Sequence, residues 1–596
     1  MTNRKSWFVP ILCIGLAFLH GLFLYSAATG RDDAYITYWA AQSLSNFGKI
    51  INYNGEALEQ SSSLLHVILL AILHQLSGIS MQTIGGFFSA TMGALTILAT
   101  WRLAVFLNLR STWFVALFLA LFPYLVYSSF NGLETTLVVF IVVLLVYSVI
   151  RFLTEKVSFS LLISAILSIG AYILVRPEAI FVMLAFLMGI ALYFIIHNFF
   201  FKKSNHFLYG TKDFQKWTIL VSISLAIFIL LSLWRYQIFG QIFPQPVYAK
   251  SSGLSTDKLI TGFHYFFDHY WIPSLIILTG LTLLVIYDVL LNHKNIIKNT
   301  ALMVMIIFIG ATMAFSVTSG GDWMESGRFF VPILPLLVVS GLYALNQISH
   351  QQISKIVLIF IVLVAALDTV KFMLEEPWIK TSISTPLPFS KTVYNPVLHD
   401  FKRSEQDFSW FELRSRTILS HIPAVIMLDK VVKRLVTTQQ TPLTLLSVEM
   451  GMLPFYIASK YGDQVKFMDM RALTTNHFTK CSLTNHLPKG RFGLGLSYEY
   501  LFAEFDQILH ECLIKKPEII SDQSGKRRLK MLEQNGYKIV YFHLGWIYTG
   551  SCWIRNRSWT GFHIAVREDL VNRVGDLGPQ AYKSDFYYKW PKVKCQ

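Results

Sequence analysis

The chain has 596 residues, 54% of them hydrophobic and only 14% charged, with a mean hydropathy of +0.49. Soluble domains carry roughly 25% charged residues, so this composition excludes an ordinary soluble protein and indicates a polytopic membrane protein. The net charge of +16 reads as basic cytoplasmic loops facing anionic lipid, and no basic tail or groove-reading motif speaks for nucleic acid.

The first apolar span, residues 7–27, follows Arg4 and Lys5. At about 20 residues it is longer than a signal-peptide core and predicts a retained anchor. Directly after it comes GRDDAYITYWAAQSL, with the adjacent carboxylates Asp32 and Asp33. Ionisable groups held beside a membrane helix are costly and therefore functional candidates by default. Either carboxylate can cap a helix N-terminus, and one can cap while the other serves as a general base. Ile36, Ala40, Leu44 and Phe47 fall on one helical face, with Tyr35, Tyr38 and Trp39 beside them. That pattern predicts a short amphipathic helix lying at the membrane interface.

Further apolar stretches follow at 62–77, 82–107, 112–130, 133–152, 158–175, 178–200, 217–239, 271–291, 299–318, 328–346 and 353–371. Arg102 and Arg110, Arg151 and Lys156, the four lysines Lys202, Lys203, Lys212 and Lys216, and Lys294 with Lys298 occupy alternate loops. The positive-inside rule assigns those loops to the cytoplasm. Counting the anchor there are about twelve candidate spans, and twelve crossings would put every one of these loops outside. Removing one crossing between 62 and 130 repairs them together. The weak stretches are 62–77, which is short and carries His66 and His74, and 112–130, which Pro123 interrupts. We therefore expect about eleven spans, with the C-terminus outside and the loops at 28–62, 131–134, 175–178, 240–270 and 319–328 opening on one external face.

Beyond the membrane region at 1–371, the Pro-, Ser- and Thr-rich run at 372–394 reads as a linker. Residues 395–596 then form a soluble α/β or α+β domain with strand-like runs such as LTLLSV and YKIVYF. Cys481, Cys512, Cys552 and Cys595 fall in this part without a CxxC pair, which speaks against zinc. Two disulfides and unpaired thiols are equally compatible with their spacing. His66, His74, His264 and His269 show no metal-ligand spacing, and no metal ligands are assigned.

Four polar clusters share the predicted external face with the acidic pair: RPE with Arg176 and Glu178, NGLETT with Glu134, FGQIFPQPVYAK with Tyr248 and Lys250, and GGDWMESGRFF with Asp322, Glu325 and Arg328. A phosphate at a membrane surface needs cations and donors, and Arg can hold it through two bonds. The plainer alternative is that such charges snorkel at helix ends or pair locally, as Arg176 can with Glu178, while Glu134 caps a helix.

These same residues carry a family resemblance. An acidic first external loop, a multi-span body and a C-terminal external domain look like the GT-C superfamily of polyprenyl-phosphate-sugar glycosyltransferases. In order, DDAYITYWAAQSL, YNGEALEQSSSLL, NGLETT, VRPEA, FGQIFPQPVYAK and GGDWMESGRFFVPILP resemble a bacterial branch that includes the mycobacterial terminal arabinofuranosyltransferases. EMGMLPFY and VKFMDMRALT are similar to that branch's external domain, and the likeness spans nearly the whole chain. The sequence departs from the pattern at Gln245, where Asn is expected, and at Leu64, where Pro is expected.

The resemblance implies a GT-C-like fold and a multi-pass place in the bacterial inner membrane, with the active site outside. It implies a polyprenyl-phosphate sugar donor, an acceptor that is a glycan, lipid or protein, and inverting transfer. Asp33, or Asp32, would be the base. Arg328, Arg176 and Lys250 would hold the donor phosphate, and Glu134, Glu178, Tyr248, Asp322 and Glu59 would contact substrate. A pentofuranose such as arabinofuranose follows from the branch alone. Relatives differ over a divalent metal, and no cofactor is assigned. The competing readings are a flippase for lipid-linked sugars, which would show two related halves and midplane charges, and an anchored scaffold, which would need far fewer spans.

Overall fold

The structure, a computed structural model, describes residues 8–28, 32–201, 211–250, 255–270, 273–291, 296–322, 327–347, 350–375, 421–438, 442–448, 450–476, 489–490, 493–494, 507, 515–524, 526–543, 561–575 and 577. The four C-terminal cysteines, Glu325 and the linker beyond residue 375 lie outside them.

The membrane region is helical throughout: α1 (Phe8–Ala28), α2 (Asp32–Phe47), α3 (Leu64–Ser77), α4 (Met81–Phe106), α5 (Trp113–Leu121), α6 (Pro123–Ser128), α7 (Thr135–Thr154) and α8 (Phe159–Val175). It continues with α9 (Ala179–Phe201), α10 (Thr211–Phe239), α11 (Gln245–Lys250), α12 (Thr256–Tyr270), α13 (Pro273–Leu291), α14 (Ile296–Thr318), α15 (Leu334–Gln347) and α16 (Gln351–Glu375). Each apolar stretch of the sequence is helix. By length and composition six are able to cross a membrane (α4, α7, α9, α10, α14 and α16), and shorter apolar helices occur in α1, α3, α8, α13 and α15. The stretch at 112–130 breaks into α5 and α6 at Pro123, because Pro disfavours a helical predecessor and Phe122 is extended at ψ 119°. On α16, Ile353, Ile356, Phe360, Leu363 and Leu367 are exposed at helical spacing, the stripe a lipid-facing helix requires.

The described part of the C-terminal region holds α17 (His421–Thr438), β1 (Leu443–Ser447), α18 (Met452–Tyr461), β2 (Val465–Asp469), β3 (Ile519–Ser524), α19 (Lys526–Gln534), β4 (Tyr537–His543) and β5 (Gly561–Arg567). The sheet order is β2-β1-β3-β5-β4. β1 is parallel to β2 and β3, and β5 is antiparallel to β3 and β4. A parallel pair needs a crossover, and α18 is the crossover between β1 and β2. The fold is thus a polytopic helical membrane body carrying a small α/β domain, and the two expected strand runs are β1 and β4.

The two parts are joined through α2, the helix expected from the amphipathic run after Asp33. The helix forms, and Ala34, Tyr35, Ile36, Thr37, Tyr38, Trp39, Ala40, Ala41 and Ser43 are all buried, while Phe47 at its end is exposed. It packs on α3 and α4 on one side and on α18 on the other. Tyr35 meets the Phe455 ring edge-on at 5.4 Å, and Trp39 lies 5.2 Å from Tyr53. The loop after α2 covers the open edge of the sheet: Asn54 accepts from Phe467 N at 2.6 Å and donates to Phe467 O at 2.9 Å. An Asn side chain thereby takes the place of a neighbouring strand on β2.

Gly451 makes the closest approach possible. Its carbonyl accepts from the Tyr53 hydroxyl at 3.2 Å, and a Cβ built on it would overlap the backbone carbonyl of Asp32. Gly451→Ala is expected to destabilise the protein by about 1–3 kcal/mol, as overpacking against rigid backbone does. Thermal unfolding in detergent, with faster hydrogen exchange at the Met452 amide, measures the effect.

Candidate active site

Asp32 and Asp33 form the first turn of α2, and their carboxylates do different things. Asp32 Oδ2 accepts from Gly451 N at 3.0 Å and Oδ1 from Met452 N at 2.7 Å. It therefore caps α18, satisfying orphan amides and the positive end of that helix from another domain. The cap it supplies is on a helix more than four hundred residues away, not the one that its position in the sequence suggests. Among the described residues Asp33 makes no hydrogen bond or ion pair. Its charge is nonetheless felt by Lys250 and Arg328.

The cations come from three other connections. Arg176, just past α8, bonds Glu134 Oε1 through Nη1 at 2.7 Å and Glu178 Oε1 through Nε at 2.6 Å. Glu134 stands at the N-cap of α7 yet makes no capping bond, because its carboxylate is turned to Arg176. Arg328 pairs with Asp322. Gly321 allows the turn before Asp322: its φ is 73°, and a Cβ there would run into the Tyr265 ring. Both guanidinium groups lie over Phe329, 5.3 and 5.8 Å from the ring centre. That cation–π contact holds two like charges side by side.

The electrostatics of these loops follow from burial and pairing. Burial pushes the Glu134 carboxyl up, but Arg176 and then Arg328 outweigh it and hold its pKa at about 2. For Arg328, burial works against the charge, while Asp322 and Glu134 raise its pKa overall. Lys250 differs. Burial lowers its pKa, Asp33 only partly offsets that, and among the described residues its amine has no bonded partner. Lys250 also responds to Arg328, Asp322 and Arg176, so the group forms one electrostatic cluster.

Beside the cluster lies a narrow cleft between α7, α8, α9 and α14. Arg176, Glu178 and Arg328 line it together with Val138, Tyr172, Val182, Phe315, Phe329 and Pro332, and with the hydroxyls of Thr135, Thr312 and Ser316. Cations at the head of an apolar-walled cleft suit an amphiphile with an anionic head. Among the described residues no group of three or more His, Cys, Asp or Glu side chains is placed to hold a metal ion.

Two expected substrate contacts have bonds of their own. Glu59 is buried in a two-bond ion pair with Arg235, at 2.7 and 2.8 Å, and its carbonyl accepts from Gln245 N. Arg235 escapes a sequence reading because it lies inside the apolar α10, 176 positions away. The Tyr248 hydroxyl accepts from the amides of Ile242 and Phe243 in its own loop, at 3.2 and 3.4 Å. Gln245 has a structural task that the missing Asn did not suggest: its Nε2 donates to Ala472 O at 2.9 Å. Asp469 presents that carbonyl, accepting from the amides of Arg471, Leu473 and Thr474 and so bending the turn in which Ala472 has a φ of 53°.

No protein-family description matches the sequence, and no curated protein matches it. Solved structures do. ArnT from Cupriavidus metallidurans bound to undecaprenyl phosphate superposes with a TM-score of 0.50 at 12% identity, covering 98% of this chain and 100% of that one. The same protein in the apo state gives 0.50 and 12%, over 95% and 99% of the two chains. The oligosaccharyltransferase AglB from Archaeoglobus fulgidus, in complex with an inhibitory peptide and a dolichol-phosphate, scores 0.47 at 12% identity over 98% of this chain and 77% of that one. The ArnT comparisons show that the chain has the GT-C fold, membrane body and C-terminal domain together.

A prediction follows from Glu134. Its folded pKa of about 2 lies below the ordinary 4.5, so it stabilises the protein above pH 4.5 and that contribution is lost as pH falls toward 2. Glu134→Gln is expected to cost about 3 kcal/mol at neutral pH, as breaking a buried pair does. It should also flatten the acid limb between those two pH values, read as unfolding midpoint against pH.

Proposed function

We propose that this protein is a membrane glycosyltransferase that moves a sugar from a polyprenyl-phosphate donor to a glycan, lipid or protein acceptor on the extracytoplasmic face of the bacterial inner membrane. One observation carries the reading: the Asp33 carboxylate, without a bonded partner among the described residues, shares its field with Lys250 and Arg328 beside a cleft that Arg176 and Arg328 line. The ArnT structure with undecaprenyl phosphate supports the donor class, since that protein holds such a lipid on the same fold. A pentofuranose such as arabinofuranose is supported by the order of the sequence motifs.

In this mechanism the acceptor hydroxyl gives its proton to Asp33 as its oxygen attacks the anomeric carbon. The bond from that carbon to the phosphate oxygen breaks, and its electron pair leaves with the polyprenyl phosphate. Negative charge grows on the phosphate, and Lys250, Arg328 and Arg176 are fixed where that growth occurs. A single displacement inverts the anomeric centre and needs one base, which fits one unpaired carboxylate. Asp32 is a positioning residue, since both its oxygens are engaged by α18. Glu134, Glu178 and Asp322 hold the arginines in place rather than touching sugar.

Transfer from radiolabelled undecaprenyl-phosphate sugars by the full-length protein in nanodiscs tests this. Asp33→Asn is expected to lower turnover by about 10²–10⁴, the contribution of a general base, with the melting temperature unchanged. Full activity in that variant would remove Asp33 from the mechanism. Asp32→Asn should instead lose about 1–3 kcal/mol of stability, because it leaves an amide of the α18 N-terminus without its carboxylate. Lys250→Gln breaks no ion pair, so it should weaken binding of undecaprenyl phosphate about tenfold or more while leaving stability intact.

A further inference from the structure

The run EQSSSLLH, where the chain enters α3, holds a second set of groups that the transfer chemistry leaves unused. Gln60, Ser63 and His66 are each 0% exposed. Among the described residues, Gln60 Oε1, Ser63 Oγ and both ring nitrogens of His66 have no hydrogen-bond partner. Their positions are nevertheless fixed. Gln60 Nε2 donates to Ile36 O at 3.0 Å, Thr37 and Ser61 share a hydroxyl bond of 2.9 Å, and His66 stacks on Phe88 with ring centres 5.5 Å apart. Ser63 occupies the N-cap of α3 without capping it.

Their place in the fold points toward the cluster. Ile36 and Thr37 are three and four positions after Asp33 in α2, on the face that carries it. Residues 60–61 are bonded to that face. His66 in turn interacts electrostatically with Glu134, the partner of Arg176. Buried polar atoms without a partner destabilise a protein, and groups of this kind mark a ligand or ordered water. Their chemistry selects among ligands. Gln60 offers an acceptor, Ser63 a donor and acceptor, and a neutral His66 one of each, with no charge among them. A phosphate calls for cations, and those stand apart at Arg176, Arg328 and Lys250. Hydroxyl groups, which both give and take hydrogen bonds, match this lining.

We infer that Gln60, Ser63 and His66 form a subsite for the hydroxyl groups of an uncharged sugar ring, one helical turn along from Asp33. The inference rests on the glycosyltransferase reading and names the residues that would recognise sugar within it. The ring is either the one carried by the donor or one belonging to the acceptor.

The test uses the full-length protein in nanodiscs with three probes: undecaprenyl phosphate, the same lipid bearing arabinofuranose or glucose, and octyl glycosides of those sugars added after saturation with undecaprenyl phosphate. His66→Leu and the gentler Ser63→Ala are compared with wild type. The expected result is a rise in melting temperature, because unpaired polar atoms are removed, with at least a tenfold loss of sugar binding and unchanged binding of undecaprenyl phosphate. Loss confined to the sugar-bearing lipid assigns the donor ring, and loss confined to the octyl glycosides assigns the acceptor ring. Equal weakening of all three probes, or no change in any, overturns the subsite and leaves these residues to packing or bound water. Should wild type fail to bind undecaprenyl phosphate at all, the glycosyltransferase reading falls, and the subsite with it.

Discussion

Two amides at the start of α18 donate to one carboxylate at the start of α2, and the rest of the structure depends on that contact. A helix N-terminus leaves its first amides without intrahelical partners and carries a partial positive charge. Asp32 answers both needs from the membrane body. Because Asp33 is the next residue, the bond that docks the soluble domain also orients the neighbouring carboxylate. Gly451 is what lets the two backbones meet, and the aromatic layer of Tyr35, Trp39, Tyr53 and Phe455 excludes water around them. Docking and the geometry of the reactive face are therefore one mechanical unit.

The cluster beside it is arranged by charge. Arg176 and Arg328 are each held by carboxylates and share one aromatic ring, which fixes two cations that would otherwise repel. Lys250 has no bonded partner among the described residues and feels the charge of Asp33. Preformed pairs of this kind need little rearrangement when a negative charge appears, which is the economy of a preorganised site. Three carboxylates, Glu134, Glu178 and Asp322, are committed to holding arginines, which leaves Asp33 as the base in the proposed transfer.

Much of this was legible in the residues. Apolar stretches of spanning length gave the apolar helices of the body, since hydrocarbon burial and an internally bonded backbone admit little else, but not α11 and α12, which form in the run at 240–270 expected as a loop. Pro123 marked the break between α5 and α6. The proximity of Asp33, Lys250, Arg176 and Arg328 was readable from loops falling on one predicted face. Other features were not legible. Periodicity showed one apolar side on α2, but Tyr35 and Trp39 are buried because a domain from the far end of the chain lies over the second. Glu59 looked like a ligand for substrate, and its partner Arg235 was concealed in an apolar helix. Tyr248 stood in the motif, and its hydroxyl accepts from two amides of its own loop, a bond that the sequence did not show.

Composition and apolar run length determined a polytopic helical protein, because these depend only on local chemistry and on the thickness of a bilayer. Which aspartate is engaged and which is free was decided by tertiary structure alone. Two neighbouring carboxylates are chemically alike in the chain, and they became different only when the amides of α18 bound one of them.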